Sequence, residues 1–134
     1  MTFDPESFRL AMRAWTTGVA VLMSVHENEI YGMTINSFTS LSLEPPLVTV
    51  VLKNDTRVFD LVSKSRAFSA TLLSSAQQEL AENFARKLHG AERMASVAIE
   101  TLPSGASILT DGLAWLSCRV VHTYAAGVNT LFIA

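Results

Sequence analysis

The sequence predicts a mainly β protein, an antiparallel barrel with flanking helices. Short apolar runs rich in β-branched residues recur at 19–25, 47–52, 67–73 and 113–124, each the length of a strand. Only single helical stretches interrupt them, which favours an antiparallel barrel over a repeating βαβ sheet. Hydrophobic residues make up 49% of the 134 positions and charged ones 16%. That is enough for one domain with a sizeable core, and it leaves apolar surface for a subunit interface.

The elements follow in order. Asp4-Pro5-Glu6 opens a helix: Asp caps it, Pro fits the first turn and Glu suits the positive end of the dipole. Phe8, Ala11, Met12 and Trp15 then recur at helical spacing, and Gly18 ends the pattern. The segment 19–25 reads as a strand, His26-Glu27-Asn28 as a hairpin loop, and 29–34 as the returning strand. Pro45-Pro46 breaks the chain because neither residue donates to a ladder. Residues 47–52 are so uniformly apolar that a strand covered on both faces is expected. Asn54-Asp55-Thr56 forms a turn and cap before a short helix carrying Val58, Phe59, Leu61 and Val62. Residues 67–73 form another strand. Ser74 or Ser75 caps a helix through Arg86, with Leu80, Phe84 and Leu88 on one face. Between His89 and Thr110 the pattern weakens to short apolar pieces and a Pro103-Ser104-Gly105 turn. One long strand is expected over 113–124, and another begins at Thr130. The sum is about six or seven strands with two or three helices, without repeat, linker or low-complexity segment.

Composition removes several function classes. A formal charge of −2 and a pI near 5.9 argue against a nucleic-acid partner, which calls for a basic face. No apolar run reaches bilayer length and the N-terminus lacks a basic-then-apolar leader, so no membrane partner is expected. Cys118 is the single cysteine, which forbids an internal disulfide and fits a reducing, cytoplasmic setting. His26, His89 and His122 show no metal-ligand spacing, so no metal is expected. Neither GxSxG nor GxGxxG nor GxxxxGK occurs, which leaves no nucleophile elbow or phosphate-cradling loop.

The stretch from Ile30 to Leu43 is unusual. It holds no charge, yet carries Thr34, Asn36, Ser37, Thr39, Ser40 and Ser42. It is too polar for a core strand and too apolar for a solvated loop. One explanation is a buried wall that hydrogen-bonds a flat, heteroatom-rich ligand. The other is that these small groups satisfy neighbouring backbone within the barrel.

Several segments resemble the short-chain flavin reductase family. Phe8-Arg9 with Ala11-Met12, then Thr17-Gly18-Val19-Ala20-Val21, resembles its opening. Gly32-Met33-Thr34-Ile35-Asn36-Ser37-Phe38-Thr39-Ser40-Leu41-Ser42-Leu43-Glu44-Pro45-Pro46-Leu47-Val48 is the most specific match. Asn83-Phe84-Ala85 and Leu113-Ala114-Trp115-Leu116-Ser117-Cys118-Arg119-Val120 follow in order. The resemblance implies an antiparallel split β-barrel of Greek-key type over 1–134 that forms a homodimer, with FMN or FAD near the subunit interface. It implies hydride transfer from NADH or NADPH to flavin, and reduced flavin passing to a partner monooxygenase. By position, Thr34, Asn36 and Ser37 would line the isoalloxazine, with Ser40 and Leu41 nearby. Lys53, Asn54, Asp55 and Thr56 would sit by the ribityl phosphate, and Asn83, Phe84, Ala85 and Arg86 would complete the pocket. No protein residue is assigned a catalytic role, because the flavin carries the chemistry.

Two departures stand out. The family usually has Gly-Asp-His before its Thr-Leu-Phe-Ile-Gly strand, the His being tied to nicotinamide binding. Here the residues are Gly127-Val128-Asn129, so Asn129 takes the nicotinamide-side position. Family members also continue beyond this strand, so the domain is expected to lack the family's C-terminal portion. Two alternatives to flavin reduction follow: a flavin-binding homologue without efficient NAD(P)H oxidation, or a flavoprotein reducing another acceptor such as a corrinoid.

Overall fold

The computed structural model describes residues 2–86 and 97–134. Helix α1 (Pro5–Arg13) starts as its sequence dictates: the Asp4 carboxylate accepts from the N–H groups of Glu6 and Ser7, each at 3.2 Å. The Ser7 hydroxyl and those N–H groups hold the Asp4 pKa below its ordinary value. The helix buries none of its residues, and Trp15 beyond it is 70% exposed. The apolar face is therefore present but covers nothing within the protomer.

Strands β1 (Ala20–His26) and β2 (Glu29–Ile35) form a hairpin in continuous register from Ala20 opposite Ile35 to His26 opposite Glu29. β3 (Thr39–Leu43) and β4 (Pro46–Lys53) form a second hairpin, with a bulge between Ser40 and Ser42 and a cis Glu44–Pro45 bond at its turn. Helix α2 (Arg57–Ser65) is capped by Thr56, whose Oγ1 accepts from Phe59 N–H at 3.3 Å. It ends where Arg66 turns left-handed at φ 58°. After β5 (Ala67–Leu72) a 3₁₀ turn at Ser75–Gln77 leads into α3 (Gln78–Ala85). The short β6 (Ile99–Thr101) and β7 (Ser107–Leu109) pair with each other. β8 (Ala114–Arg119), β9 (His122–Ala126) and β10 (Asn129–Ile133) complete the chain. Leu88 and the segment 87–96 lie outside the described residues.

The strands form two antiparallel four-stranded sheets, ordered β2-β1-β5-β8 and β3-β4-β10-β9, which do not close on each other. This is the split barrel. Where one long strand was expected over 113–124, the chain breaks at Val120–Val121 to change sheets. Val120 N–H still bonds Arg66 O beside the first sheet, whereas Val121 N–H bonds Ile133 O in the second.

Between the sheets lies the main core: Ala20 and Leu22 of β1, Val50 and Leu52 of β4, Phe68 of β5 and Phe132 of β10, closed by Val58 and Val62 of α2. The Phe59 and Phe132 rings meet at 6.0 Å between centroids. A second core forms outside the first sheet, where Val21 and Met23 meet Phe84 of α3 and Leu109 of β7. Thus β1 is covered on both faces, its alternate residues feeding two cores, and β5 is likewise buried on both, with Phe68 and Ala70 on one face and Ser69 and Thr71 on the other. β4, for which that was expected, fully buries only Val50 and Leu52. All five residues of β9 are exposed. No helix among the described residues is long and apolar enough to cross a membrane.

Candidate functional site

The uncharged strip runs from the end of β2, across the Asn36–Phe38 link between the sheets, into β3. It is not a buried wall: Asn36, Thr39, Ser40, Leu41 and Leu43 are exposed in the protomer. Only part of it is spent on internal bonding. Thr34 Oγ1 donates to Ala81 O at 2.6 Å, tying β2 to α3. Ser37 Oγ donates to Val51 O and accepts from Val51 N–H, both at 3.0 Å, tying the link to β4. For these two, the internal-satisfaction explanation holds. The Asn36 carboxamide and the N–H groups of Asn36 and Phe38 have no hydrogen-bond partner among the described residues. They are the groups left to meet a ligand.

The turn after β4 supplies the charge. Lys53 Nζ stands 3.2 Å from Asp55 Oδ2. Thr56 Oγ1 donates to Lys53 O at 2.8 Å. The backbone N–H groups of Arg57 and Val58, in the first turn of α2, have no acceptor among the described residues. The Arg57 side chain is not available to an anion. It holds Glu29 through a two-pronged contact and lies 3.5 Å from Asp60, which lowers the Glu29 pKa and raises its own.

Asn129 opens β10 directly opposite Lys53 and, on its other side, opposite Ala126. It is half-buried, and its side chain makes no hydrogen bond among the described residues. Gly127 turns the hairpin before it with φ 62°, a left-handed value that suits glycine.

The fold therefore draws Asn36, Ser37, Lys53–Thr56 and Asn129 towards one end of the second sheet. Thr34 joins them through α3, whose last turn holds Asn83, Phe84 and Ala85. Phe84 is fully buried against Gly32 and packs rather than lines, while Ala85 and Arg86 are exposed. Ser40 and Leu41 stand apart. Ser40 pairs with Val48, about 16 Å along β4 from Lys53 at the usual rise per residue. Ser40 there lines a groove of about 430 Å³ between the sheets, together with Leu116 and Cys118. An apolar cavity of about 290 Å³ beside Phe38, walled by Gly18, Val19, Leu72 and Leu113, was not foreseen. Four separate segments build it, so no local pattern marks it. Thr130, which donates to Asn54 Oδ1 at 2.7 Å, was missed for the same reason.

The donor set suits a flavin. The ring edge presents several acceptors and one donor, which uncharged amides pair without desolvating a charge. An anionic tail finds Lys53 and the two free N–H groups of α2. Among the described residues no three His, Cys, Asp or Glu side chains come together as a metal would require.

Two four-stranded antiparallel sheets that do not close on each other place the chain in the split-barrel class. More particularly, the chain belongs to the flavin reductase family: the family's "Flavin reductase like domain" matches residues 12–134. It is 38% identical, over 98% of its length and 75% of the relative's, to the NADH-dependent flavin reductase StyB of Pseudomonas fluorescens. The styrene monooxygenase flavin reductase of Pseudomonas putida S12 superposes with a TM-score of 0.86 at 34% identity, covering 95% of this chain and 80% of that one. The NADH:FAD oxidoreductase SgcE6 of Streptomyces globisporus C-1027, solved with NAD and FAD fragments, gives a TM-score of 0.90 at 28% identity. Those two chains overlap over 99% of this one and 81% of that one.

Proposed function

We propose that this protein is an NAD(P)H:flavin oxidoreductase that binds FMN or FAD and delivers the reduced flavin to a partner monooxygenase. The observation that carries this reading is the convergence of unpaired Asn36 amide groups, the Lys53 turn and the Asn129 hairpin at one end of the second sheet. When bound, the flavin accepts a hydride from the dihydronicotinamide. The chain's own residues bind and orient. Asn36 and the N–H of Phe38 meet the ring edge, Lys53 and the α2 N-terminus meet the phosphate, and Thr34 and Ser37 hold these elements in place. Asn83 stands half-buried at the end of α3, where it completes the pocket wall. The test is anaerobic mixing with NADH and with NADPH while flavin absorbance is followed. Bleaching at the rate of turnover is expected, and a flavin-loaded protein that neither cofactor bleaches would overturn the reading.

Asn129 supports a second reading, a flavin-binding homologue that uses NAD(P)H weakly. An Asn offers a donor and an acceptor but neither an imidazole ring to stack nor titration near neutral pH. Replacing Asn129 by His is then expected to lower the KM for NAD(P)H with little change in kcat or flavin affinity. Unchanged kinetics in that variant would remove this reading and leave the first.

The assembly we propose is a homodimer. The exposed α1 face, Leu43 at 89% exposure, and Trp115 and Tyr124 on β8 and β9 are more bare apolar surface than a lone protomer of this size ordinarily shows.

A further inference from the structure

The β10–β4 ladder ends at Asn129 opposite Lys53, and beyond it the hairpin that carries Asn129 is fastened to the turn after β4 through one residue, Asn54. Its backbone N–H donates to Val128 O at 3.0 Å. Its side-chain Oδ1 accepts from Thr130 Oγ1 at 2.7 Å, across 76 positions of sequence. Asn129 lies between those two anchors, in register with Lys53. The hairpin tip has little else to hold it, since residues 121–128 are all exposed and an added Cβ at Gly127 would meet nothing within 4 Å. Because the Thr130 hydroxyl occupies the Asn54 carbonyl oxygen, the orientation of the amide is set. Its two N–H donors have no partner among the described residues.

We propose that Asn54 is a positioning residue that couples the two ligand sites, fixing the end of the Asn129 hairpin against the turn that takes the flavin tail. The inference rests on the flavin and nicotinamide reading above. A latch of two hydrogen bonds on an exposed turn opens readily. A ligand on the Lys53–Thr56 side orders the turn and with it the hairpin, so the second ligand meets Asn129 already placed. Linkage makes the effect reciprocal: flavin favours nicotinamide by the same factor that nicotinamide favours flavin.

The test is titration of the wild-type protein with FMN, by fluorescence quenching, with and without saturating NAD⁺, which cannot reduce oxidised flavin. NAD⁺ is expected to tighten FMN binding about fivefold or more in the wild type, the lower end of usual coupling. Thr130→Val removes the donor to Asn54 and Asn54→Ala removes the acceptor, each breaking the side-chain bond while the backbone bond to Val128 remains. Both are expected to bring that ratio close to one and to raise the KM for NAD(P)H by roughly 3–10-fold, the effect of one lost hydrogen bond. The change in kcat is expected to be smaller than that in KM. Thr130→Ser, which keeps the hydroxyl, restores the ratio. A residue of structural importance alone would lower the melting temperature and leave the ratio intact, and that result would overturn the proposal. So would a wild type that binds FMN with a ratio of one. A wild type that binds no FMN would instead remove the flavin reading, and the coupling with it.

Discussion

Thr34 and Ser37 flank Asn36, and sequence alone gives the three no obvious difference in task. In the structure both hydroxyls are committed to backbone 47 and 14 positions away, while the Asn36 amide is unpaired. Residue types at the site are legible from the uncharged run. Which of them are spent internally is not, because the partners are set by how α3 and β4 pack. The difference is testable. Asn36→Leu keeps the bulk and removes both amide functions, leaving a flavin edge group without its partner. Flavin affinity is expected to fall by about 1–3 kcal/mol while stability changes far less; equal FMN affinity in wild type and variant would show that Asn36 does not meet the ring. Cys118 gives a second residue-level outcome. Burial raises its pKa to about 11 from an ordinary 9.0, so the folded state favours the thiol. Its contribution to stability is whole below about pH 9 and is lost as pH rises from there toward 11. The stability of the wild type relative to Cys118→Ala is therefore expected to decline over that window, as read by denaturant midpoints. At neutral pH the native thiol is expected to resist alkylation that proceeds readily once the chain is unfolded.

Strand and helix positions were legible wherever periodicity or caps marked them, and Asp4, Thr56 and the hairpin at Glu27–Asn28 all do as their chemistry demands. Burial was harder to read. An apolar run reports that a strand has somewhere to pack, not how many layers cover it. β1 and β4 look alike in sequence, yet of the two it is β1 that is sandwiched between the barrel interior and the α3 and β7 layer. The break at Val120–Val121 was invisible because residues on both sides suit a strand, and the change of sheet depends on which edges are free. The α3 contact makes a direct test of this layering. A Cβ added at Gly32 would stand 2.7 Å from Phe84 Cε1, closer than carbon atoms tolerate. Gly32→Ala is expected to push α3 away from β2, strain the Thr34–Ala81 hydrogen bond and destabilise by about 1–3 kcal/mol, the usual effect of overpacking. Combining it with Phe84→Leu, which clears the clash, is expected to cost less than the two changes added together. Strict additivity in urea denaturation would show that Gly32 and Phe84 are not in contact.

At the scale of the molecule, the barrel is split and its apolar surface unevenly covered. The two cores account for β1, β5, α2 and the inner faces of β4 and β10. They leave Phe8, Met12 and Trp15 on the α1 side, Leu41, Trp115 and Tyr124 on the strands, and Val121 at the break between β8 and β9, all about half exposed or more. A nine-residue helix is marginal in water without a surface to pack on, so α1 as folded calls for a partner surface that its own protomer does not offer. The second copy proposed above would provide one, and a twofold arrangement would bury the same bare patches on both chains at once. The two tryptophans make this measurable without a label, because Trp15 is 70% and Trp115 51% exposed in the protomer. Sedimentation at micromolar concentration is expected to give twice the protomer mass. Under the same conditions indole emission is expected to be blue-shifted and at least one tryptophan shielded from acrylamide. Dilution until the dimer dissociates is expected to move emission to the red and open both rings to quencher together with the fall in mass. Trp15→Ser is expected to bring that transition to higher protein concentration, since a buried indole contributes large apolar area to an interface. A species of protomer mass at all concentrations, with both indoles fully quenchable, would mean that α1 and the outer strands are covered by something other than a second copy of this chain.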